Sequence, residues 1–266
     1  AKQRLWTVNT PKGAAILNRL ITAGEDGLLG AEQIKNMRTA LRQGTVTGKT
    51  ATDYVTLLSL DKLYRGNVNF ARKLFGSELS SQVIKANDFR KNSKGLHRYL
   101  DAPESEWATK GLPTLSEGQR AVYDSVNNFT DQLYSEANEL VSRLGGPPIG
   151  QLPAYFPHAQ SSAAVEWGAR NQGRLKKVAA GLGVDPTELL AGNYLNRQLV
   201  EGADWFGYKL KAADVAGGID RFNEIARQYG KVKFDFFTTN VAEALAKYAD
   251  NHARFMSYGE TILGTV

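Results

Sequence analysis

Cysteine is absent from this chain of 266 residues, and histidine occurs only three times. Without cysteine the chain has no disulfide and no thiolate for a metal or a substrate, which excludes disulfide scaffolds and cysteine-based catalysis. His97, His158 and His252 are far apart in sequence, and none belongs to an H-x-x-x-H or H-E-x-x-H pattern that places ligands on one helix face. We therefore expect no metal and no cofactor, with His97 exposed, His158 bonded to backbone and His252 at a core edge.

Long apolar runs are also lacking. No stretch reaches the roughly eighteen apolar residues of a membrane-spanning helix, so no transmembrane segment is expected. The first residues, AKQRL, include neither an initiator Met nor the apolar stretch of a signal peptide. We expect the sequence to be part of a larger polypeptide.

The chain contains enough hydrophobic residues to form a sizeable core. Hydrophobic residues make up 42% of it, with 11 Tyr, 11 Phe and 4 Trp, so wholesale disorder is not expected. Apolar residues recur at steps of three and four along most of the chain, which predicts an all-α fold. Helices are predicted to cover approximately residues 10–24, 30–44, 50–58, 68–75, 79–89, 96–100, 116–144, 161–170, 174–181, 185–200, 218–229 and 240–256.

The clearest predicted helix runs from Ser116 to Leu144. Ser116 and Gln119 fit a capping box, and the Gly-Gly-Pro-Pro sequence of residues 145–148 ends the helix. Asn240 with Glu243 predicts a similar start for the last helix. Asp101 is predicted to cap a further helix, and residues 231–237 alternate weakly, which allows a short extended piece.

Residues 145–160 contain four of the eight prolines and are predicted to form an extended strap against the body. This strap suggests three parts, a basic N-terminal helical lobe (1–144), the strap (145–160) and a C-terminal helical lobe (161–266). The expected architecture is an elongated multi-helix bundle, in one body or two packed lobes.

Charge is unevenly distributed along the chain. Residues 1–100 carry 17 Lys+Arg against 7 Asp+Glu, whereas residues 101–266 carry 16 against 20. A basic half could meet phosphate, an anionic membrane or the acidic half of a neighbouring copy, although solvated helix faces are the plainer explanation. The candidate nucleic-acid contacts are Arg72, Lys73, Lys85, Arg90, Lys91, Lys94 and Arg98.

Two segments partly match motifs of functional sites. Residues 44–50, GTVTGKT, resemble a phosphate-binding loop, but the first glycine is one residue too close and a helix replaces the required strand. Asp101, Glu104 and Glu106 lie near Trp107 and could suggest a pair of catalytic carboxylates, yet capping explains them without chemistry. We expect no enzymatic activity from either segment.

A family resemblance comes from two other segments. Residues 151–158, QLPAYFPH, are similar to a "YFPH/YFPR" signature of large phage polyproteins, and residues 234–248, FDFFTTNVAEALAKY, are similar to the companion pattern of an aromatic run followed by a capped helix. A basic residue follows that pattern, here Arg254. Where the family often has Asp-Asp or Asp-Pro before this helix, the chain has Thr239-Asn240. The residues that carry the resemblance are Pro153, Tyr155, Phe156, Pro157, His158, Phe234, Phe236, Phe237, Leu245 and Tyr248.

The resemblance covers residues 145–258 and implies an internal virion or ejection protein, or a large polyvalent protein, of a tailed phage. Such a protein is packaged in the virion and delivered with the genome to the host cytoplasm or periplasm. The motifs then imply an architectural role, with the strap locking helices together and the aromatic run filling the core. Its expected partners are other virion proteins or the rest of its own polypeptide. Two alternatives stay open, namely a nucleic-acid-binding module and an accessory domain of a virion enzyme such as a packaged RNA polymerase or a peptidoglycan hydrolase.

Overall fold

A computed structural model confirms the all-α prediction. It describes residues 18, 29–44, 46, 50–51, 53–54, 57–58, 60–61, 88–149, 156–157, 159–182 and 218–263. Of this described part, 73% is helical and none forms a strand or sheet. The nearest approach to a strand within it is one antiparallel bridge between Gln160 and Phe237. The extended piece predicted over residues 231–237 is reduced to that single bridge.

Seven α-helices have bounds within the described residues. They are α1 (Ala31–Gln43), α2 (His97–Leu100), α3 (Glu117–Arg143), α4 (Ser162–Arg170), α5 (Gln172–Leu182), α6 (Gly218–Gly230) and α7 (Val241–Leu263). The described residues within 50–61 are helical too. The helices predicted over residues 68–75 and 185–200, and almost all of those over 10–24 and 79–89, lie outside the described part.

The cap chemistry predicted for α3 is present. Ser116 Oγ accepts a hydrogen bond from the Gln119 backbone N–H at 3.3 Å, and Gln119 Oε1 accepts one from the Ser116 N–H at 3.0 Å. This reciprocal pair satisfies two of the amides that a helix start leaves without partners. Gly145, at φ 73°, takes the left-handed conformation that follows the last turn.

The predicted cap at Asp101 is wrong. Asp101 ends α2 instead, where its N–H donates to the His97 carbonyl at 3.0 Å. The next helical turn is a short 3₁₀ segment, Glu104–Glu106, whose N-cap is Pro103 in extended conformation. Proline locks φ near the value of an extended or first-turn residue, so it displaces the helix start by two positions.

Two compact units emerge from the pattern of contacts. Unit 1 comprises residues 1–94, 114–151 and 245–266, and unit 2 comprises residues 95–113 and 152–244. The division falls within the first turn of α7. Whether the chain also divides at the 145–160 strap stays a prediction.

In unit 1, α3 and α7 lie side by side and run in the same direction. Glu136 pairs with His252, and seven residues further along α3 Arg143 pairs with Glu260. Between these pairs, Gly259 faces Leu140 so closely that a methyl group on Gly259 would overlap the leucine side chain. Small residues permit such close helix approach, which explains why glycine is tolerated inside a long helix here.

In unit 2, the core joins α4, α5 and α6 to the aromatic run. Its fully buried members are Ala164, Leu175, Val178, Ala179, Ile219, Phe222, Ala226, Phe236 and Phe237. Phe222 meets Phe237 edge to face with 4.4 Å between ring centroids, a geometry that aromatic quadrupoles favour. Trp167 adds a similar contact with Phe236 at 6.2 Å.

Candidate functional site

The most distinctive polar arrangement of the described residues is a buried network around Glu136 in unit 1. Glu136 Oε2 lies 2.9 Å from His252 Nε2, and Oε1 accepts hydrogen bonds from the Thr50 hydroxyl at 2.8 Å and the Gln132 amide at 3.1 Å. The Gln132 amide also donates to Thr50. Both carboxylate oxygens are therefore satisfied, which is the condition under which a buried charge becomes tolerable.

The sequence positions this carboxylate on the core-facing side of α3. Glu136 follows Leu133 by three residues and precedes Leu140 by four, so it lies within the apolar stripe. His252 is buried with only 1% of its surface exposed. Three chain segments, α3, α7 and the helical residues around Thr50, thus contribute to one network.

Electrostatics hold Glu136 in its ionised form. Burial alone would raise its pKa, but the hydrogen bond and charge of His252 and the hydrogen bonds from Thr50 and Gln132 outweigh burial. The pKa of Glu136 consequently lies below its ordinary value of 4.5. Because the folded-state pKa is depressed, the network stabilises the fold above pH 4.5, and that contribution is lost as the pH falls through the folded value.

A second buried carboxylate, Asp250, lies two residues before His252 on α7. Burial raises the pKa of Asp250 above 3.8, and the opposing charge of Arg254, 3.4 Å away, does not compensate. Burial, followed by the negative charge of Asp250, raises the pKa of Tyr54 well above 10.0. Unlike Glu136, Asp250 is a carboxylate for which the folded state favours protonation.

These groups are better suited to fixing helices than to chemistry. Glu136 and His252 are 9% and 1% exposed, so a substrate could not reach either side chain without opening the unit. Both oxygens of Glu136 are already occupied by protein donors. A general base must lie within reach of the reacting proton, and the burial of Glu136 and His252 keeps a substrate out of that reach.

In unit 2, the residues that follow the QLPAYFPH segment meet the aromatic run of the second segment. Immediately after the strap motif, the Ser161 N–H donates to the Phe236 carbonyl at 2.9 Å, and the Thr238 N–H donates to the Ala159 carbonyl at 2.8 Å. Asn223 completes this junction from α6. Its amide donates to the Phe237 carbonyl at 2.9 Å and its oxygen accepts from the Phe237 N–H at 2.8 Å.

The described motif residues differ in exposure. Phe156, Phe236, Phe237 and Leu245 are at most 1% exposed, while Phe234 and Tyr248 are half-buried and Pro157 is buried. Pro153, Tyr155 and His158 lie outside the described residues. The architectural role that the resemblance implies for these residues stays a prediction.

The start of α7 follows the predicted cap with one change. Asn240 Oδ1 accepts hydrogen bonds from the N–H groups of Ala242 at 3.0 Å and Glu243 at 3.3 Å, as expected for an N-cap. The Glu243 carboxylate, however, accepts from the Thr238 hydroxyl at 2.8 Å. Thr238 Oγ1 in turn accepts from the Asn240 N–H at 3.1 Å, so the threonine bridges the two members of the expected box.

The prediction that His97 is exposed is wrong. His97 is only 5% exposed, and its Nε2 lies 3.1 Å from Asp220 Oδ1, a residue 123 positions further along the chain. Arg98 Nε donates to the other Asp220 oxygen at 2.6 Å. Neighbouring basic residues suggested a solvated segment, whereas tertiary pairing with the first turn of α6 buries the ring.

The candidate nucleic-acid contacts fall in different places. Lys91 and Lys94 are exposed in unit 1, Arg90 is half-buried there, and Arg98 is in unit 2 bound to Asp220. The remaining candidates, Arg72, Lys73 and Lys85, lie outside the described residues. Their joint use as a nucleic-acid site stays a prediction.

The phosphate-loop-like segment and the carboxylates near Trp107 have structural explanations in the residues that the structure describes. Thr50, the last residue of the phosphate-loop-like segment, is buried with its hydroxyl bonded to Glu136. Glu104 and Glu106 are exposed, and Glu106 pairs with Lys110 at 2.9 Å. The Trp107 ring N–H donates to backbone, to the Ala102 carbonyl at 3.0 Å and the Tyr99 carbonyl at 3.3 Å.

Comparison of the chain with protein-family models, with curated protein sequences and with solved structures finds no match. Among the described residues, no group of three or more His, Cys, Asp or Glu side chains is arranged to hold a metal ion. None of the helices described has the length and apolar content needed to cross a bilayer.

Proposed function

We propose that the chain is a non-enzymatic structural and assembly module of a tailed-phage internal virion protein, one delivered to the host with the genome. The observation that carries this proposal is the junction of residues 159–161 with residues 236–238 in unit 2. The two segments that resemble the phage proteins are far apart in sequence, yet the chain that leaves the first meets the second at the edge of one aromatic core. This is how a pair of architectural motifs would be expected to work.

The distribution of stabilising contacts also supports a mechanical role. Unit 1 relies on a buried hydrogen-bonded network around a carboxylate, and unit 2 relies on aromatic packing and on side-chain bonds to backbone. Contacts of both kinds join segments that are distant in sequence, while the helices that carry them begin with their own caps at Ser116, Ser161 and Asn240. A chain that leaves a particle and refolds in the host benefits from helices with their own start signals, since a cap satisfies the first amides of a helix from neighbouring residues.

Reversibility of unfolding tests the proposal. The full chain is unfolded in acid or in denaturant, returned to neutral conditions, and compared with untreated protein by circular dichroism and tryptophan fluorescence. A module built for delivery regains its original signal. Irreversible loss of structure, or a melting temperature above about 90 °C, would count against a chain that must unfold in transit.

The parent reading frame provides a second test. Flanks of further helical sequence without enzyme motifs are expected for the structural module. Flanking polymerase or peptidoglycan-hydrolase motifs would instead make the chain an accessory domain of a virion enzyme.

A further inference from the structure

The basic residues of helix α1 form a line on its exposed side. Lys35, Arg38 and Arg42 follow one another at steps of three and four residues, which places them on one face and within about 10 Å along the axis. All three are exposed. Together they are called the α1 cationic stripe below.

The stripe is free to meet a partner. None of its three side chains forms a hydrogen bond or an ion pair within the part of the chain that the structure describes. By contrast, Arg143 is bound to Glu260 and Arg98 to Asp220. The acidic residue of α1, Glu32, is engaged separately by Arg254 at 3.5 Å, so no carboxylate on the helix neutralises the stripe.

The opposite face of α1 is fully used by the fold. Asn36, Met37, Ala40 and Leu41 are buried, and the Asn36 carbonyl accepts a hydrogen bond from Ser257 at 2.8 Å. An amphipathic helix binds a membrane by inserting its apolar face. Since that face is buried in unit 1, the stripe offers point charges without an apolar anchor, which suits a chain of phosphates better than a lipid surface.

We infer that the α1 cationic stripe of Lys35, Arg38 and Arg42 binds the sugar–phosphate backbone of nucleic acid, without reading its sequence. Cations one helical turn apart match a polymer of regularly spaced phosphates, and arginine in particular forms paired hydrogen bonds with phosphate. The surplus of basic residues in the first hundred positions adds a long-range attraction for such a polyanion. This inference goes beyond the structural role proposed above and is independent of it.

Fluorescence anisotropy with short labelled single-stranded and duplex DNA tests the inference on the full chain. The decisive variant is Lys35→Gln/Arg38→Gln/Arg42→Gln, in which glutamine keeps helix propensity while removing charge. A matched control is Arg174→Gln/Lys176→Gln/Lys177→Gln, which neutralises three exposed cations of α5. A charge-conserving variant, Lys35→Arg/Arg38→Lys/Arg42→Lys, separates charge from shape.

We expect the wild-type chain to bind DNA at about 50 mM salt with an affinity that falls steeply as salt rises. The α1 triple variant should bind at least about tenfold more weakly, and on single strands its log–log salt slope should be shallower by about 2, as expected for three lost phosphate contacts. The α5 control should bind like wild type, and the charge-conserving variant should keep the wild-type salt slope, with affinity lowered only by the exchange of arginine's paired hydrogen bonds for lysine's point charge. Circular dichroism checks that each variant is folded, and if the α1 triple is not, Arg38→Glu alone replaces it.

Three results would overturn the inference. The first is absence of wild-type binding to either form of DNA at about 50 mM salt. The second is equal weakening by the α1 and α5 triple variants, which would reduce the effect to net charge. The third is binding to phosphatidylserine vesicles without binding to DNA, which would assign the stripe to a membrane. Each of these results leaves the refolding test of the structural role unaffected.

Discussion

Units 1 and 2 are both helical, but their centres differ, with a buried carboxylate network in unit 1 and aromatic and aliphatic side chains in unit 2. Unit 2 also pairs His97 with Asp220, but the Asp220 side chain is 41% exposed, so solvent screens that pair more than the Glu136 network. Unit 1 joins α3, α7 and the helical residues around Thr50 through the ionised Glu136. Unit 2 joins α4, α5 and α6 through edge-to-face rings and aliphatic side chains, and its buried Asn223 bonds to both backbone groups of Phe237. A charged network is directional and depends on pH, whereas aromatic packing is strong and indifferent to it.

The comparison predicts how the stability of each unit should respond when a side chain is removed. Removing a ring leaves a cavity at any pH. Removing a charge from the network changes stability only where that charge exists. Four substitutions test this contrast, from the largest expected effect to the smallest.

Phe237→Ala should cause the largest loss of stability among the four substitutions. Phe237 is completely buried and packs edge to face against Phe222, so truncation is expected to lower the free energy of unfolding by about 3–5 kcal/mol. Denaturant unfolding followed by tryptophan fluorescence measures this loss at pH 7 and again in acid, and it should be similar at both. Tyr229→Ala, at a ring 45% exposed in the same unit, is the control. A loss as large for Tyr229 as for Phe237 would contradict the packing described.

Glu136→Gln should lower the free energy of unfolding by less than Phe237→Ala does, and the size of its effect should depend on pH. The amide keeps the shape but presents a donor where Thr50, Gln132 and His252 already donate, so we expect a loss of about 1.5–3 kcal/mol at pH 7. Because the pKa of Glu136 is depressed, the difference from wild type should shrink as the pH falls below 4.5.

Urea unfolding at pH 7 and in acid measures that difference. Glu139→Gln, at an exposed carboxylate one turn along α3, is the matched control and should change little at either pH. A constant difference between Glu136→Gln and wild type across the titration would show that Glu136 is not the ionised centre of the network.

Gly259→Ala tests the close approach of α7 to α3. A methyl group at Gly259 overlaps Leu140, which should cost about 1–3 kcal/mol, while the gain in helix propensity returns about 1 kcal/mol. We therefore expect a net loss of about 1 kcal/mol. Gly173→Ala in α5, where no atom lies within 4 Å of the new methyl group, should instead be neutral or stabilising. Thermal melts compare the two, and a stabilised Gly259→Ala would refute the close packing.

Asp250→Asn should have the smallest effect and the opposite dependence on pH. Burial raises the pKa of Asp250, so its ionised form opposes folding, and the stability it contributes at low pH is lost as the pH rises through the raised value. The substitution removes this cost, while Arg254 keeps Glu32 as a second partner. We expect a change within about 1 kcal/mol at pH 7. A loss comparable to that of Glu136→Gln would mean that both carboxylates act as one ionised unit.

Sequence patterns predicted local structure well because its causes are local. The capping box of Ser116 and Gln119, the Asn240 cap and the periodic stripe of α3 all act within a few residues. The start of the 3₁₀ turn at Pro103 was displaced from Asp101 because proline chemistry outweighed a capping carboxylate.

The buried partners could not be predicted in the same way. Asp220 is 123 residues from His97, and Glu136 is 116 residues from His252, so no window of sequence contains either pair. One signal was present for Glu136, since a carboxylate three residues after Leu133 and four before Leu140 falls on the core side of the helix. For its partner His252, the sequence showed a position on an apolar helix face but nothing that pointed to Glu136.

Amide exchange measured across the acid range, segment by segment, tests the account most directly. The full chain is labelled at a series of pH values with exposure times adjusted to the intrinsic exchange rate, then returned to pH 7 and labelled again. We expect residues 117–143 and 245–263 of unit 1 to lose protection at a higher pH than residues 162–182 and 218–244 of unit 2, and to regain it fully at pH 7. Earlier opening of unit 2, or protection that does not return, would contradict a reversible module whose acid-sensitive centre is Glu136.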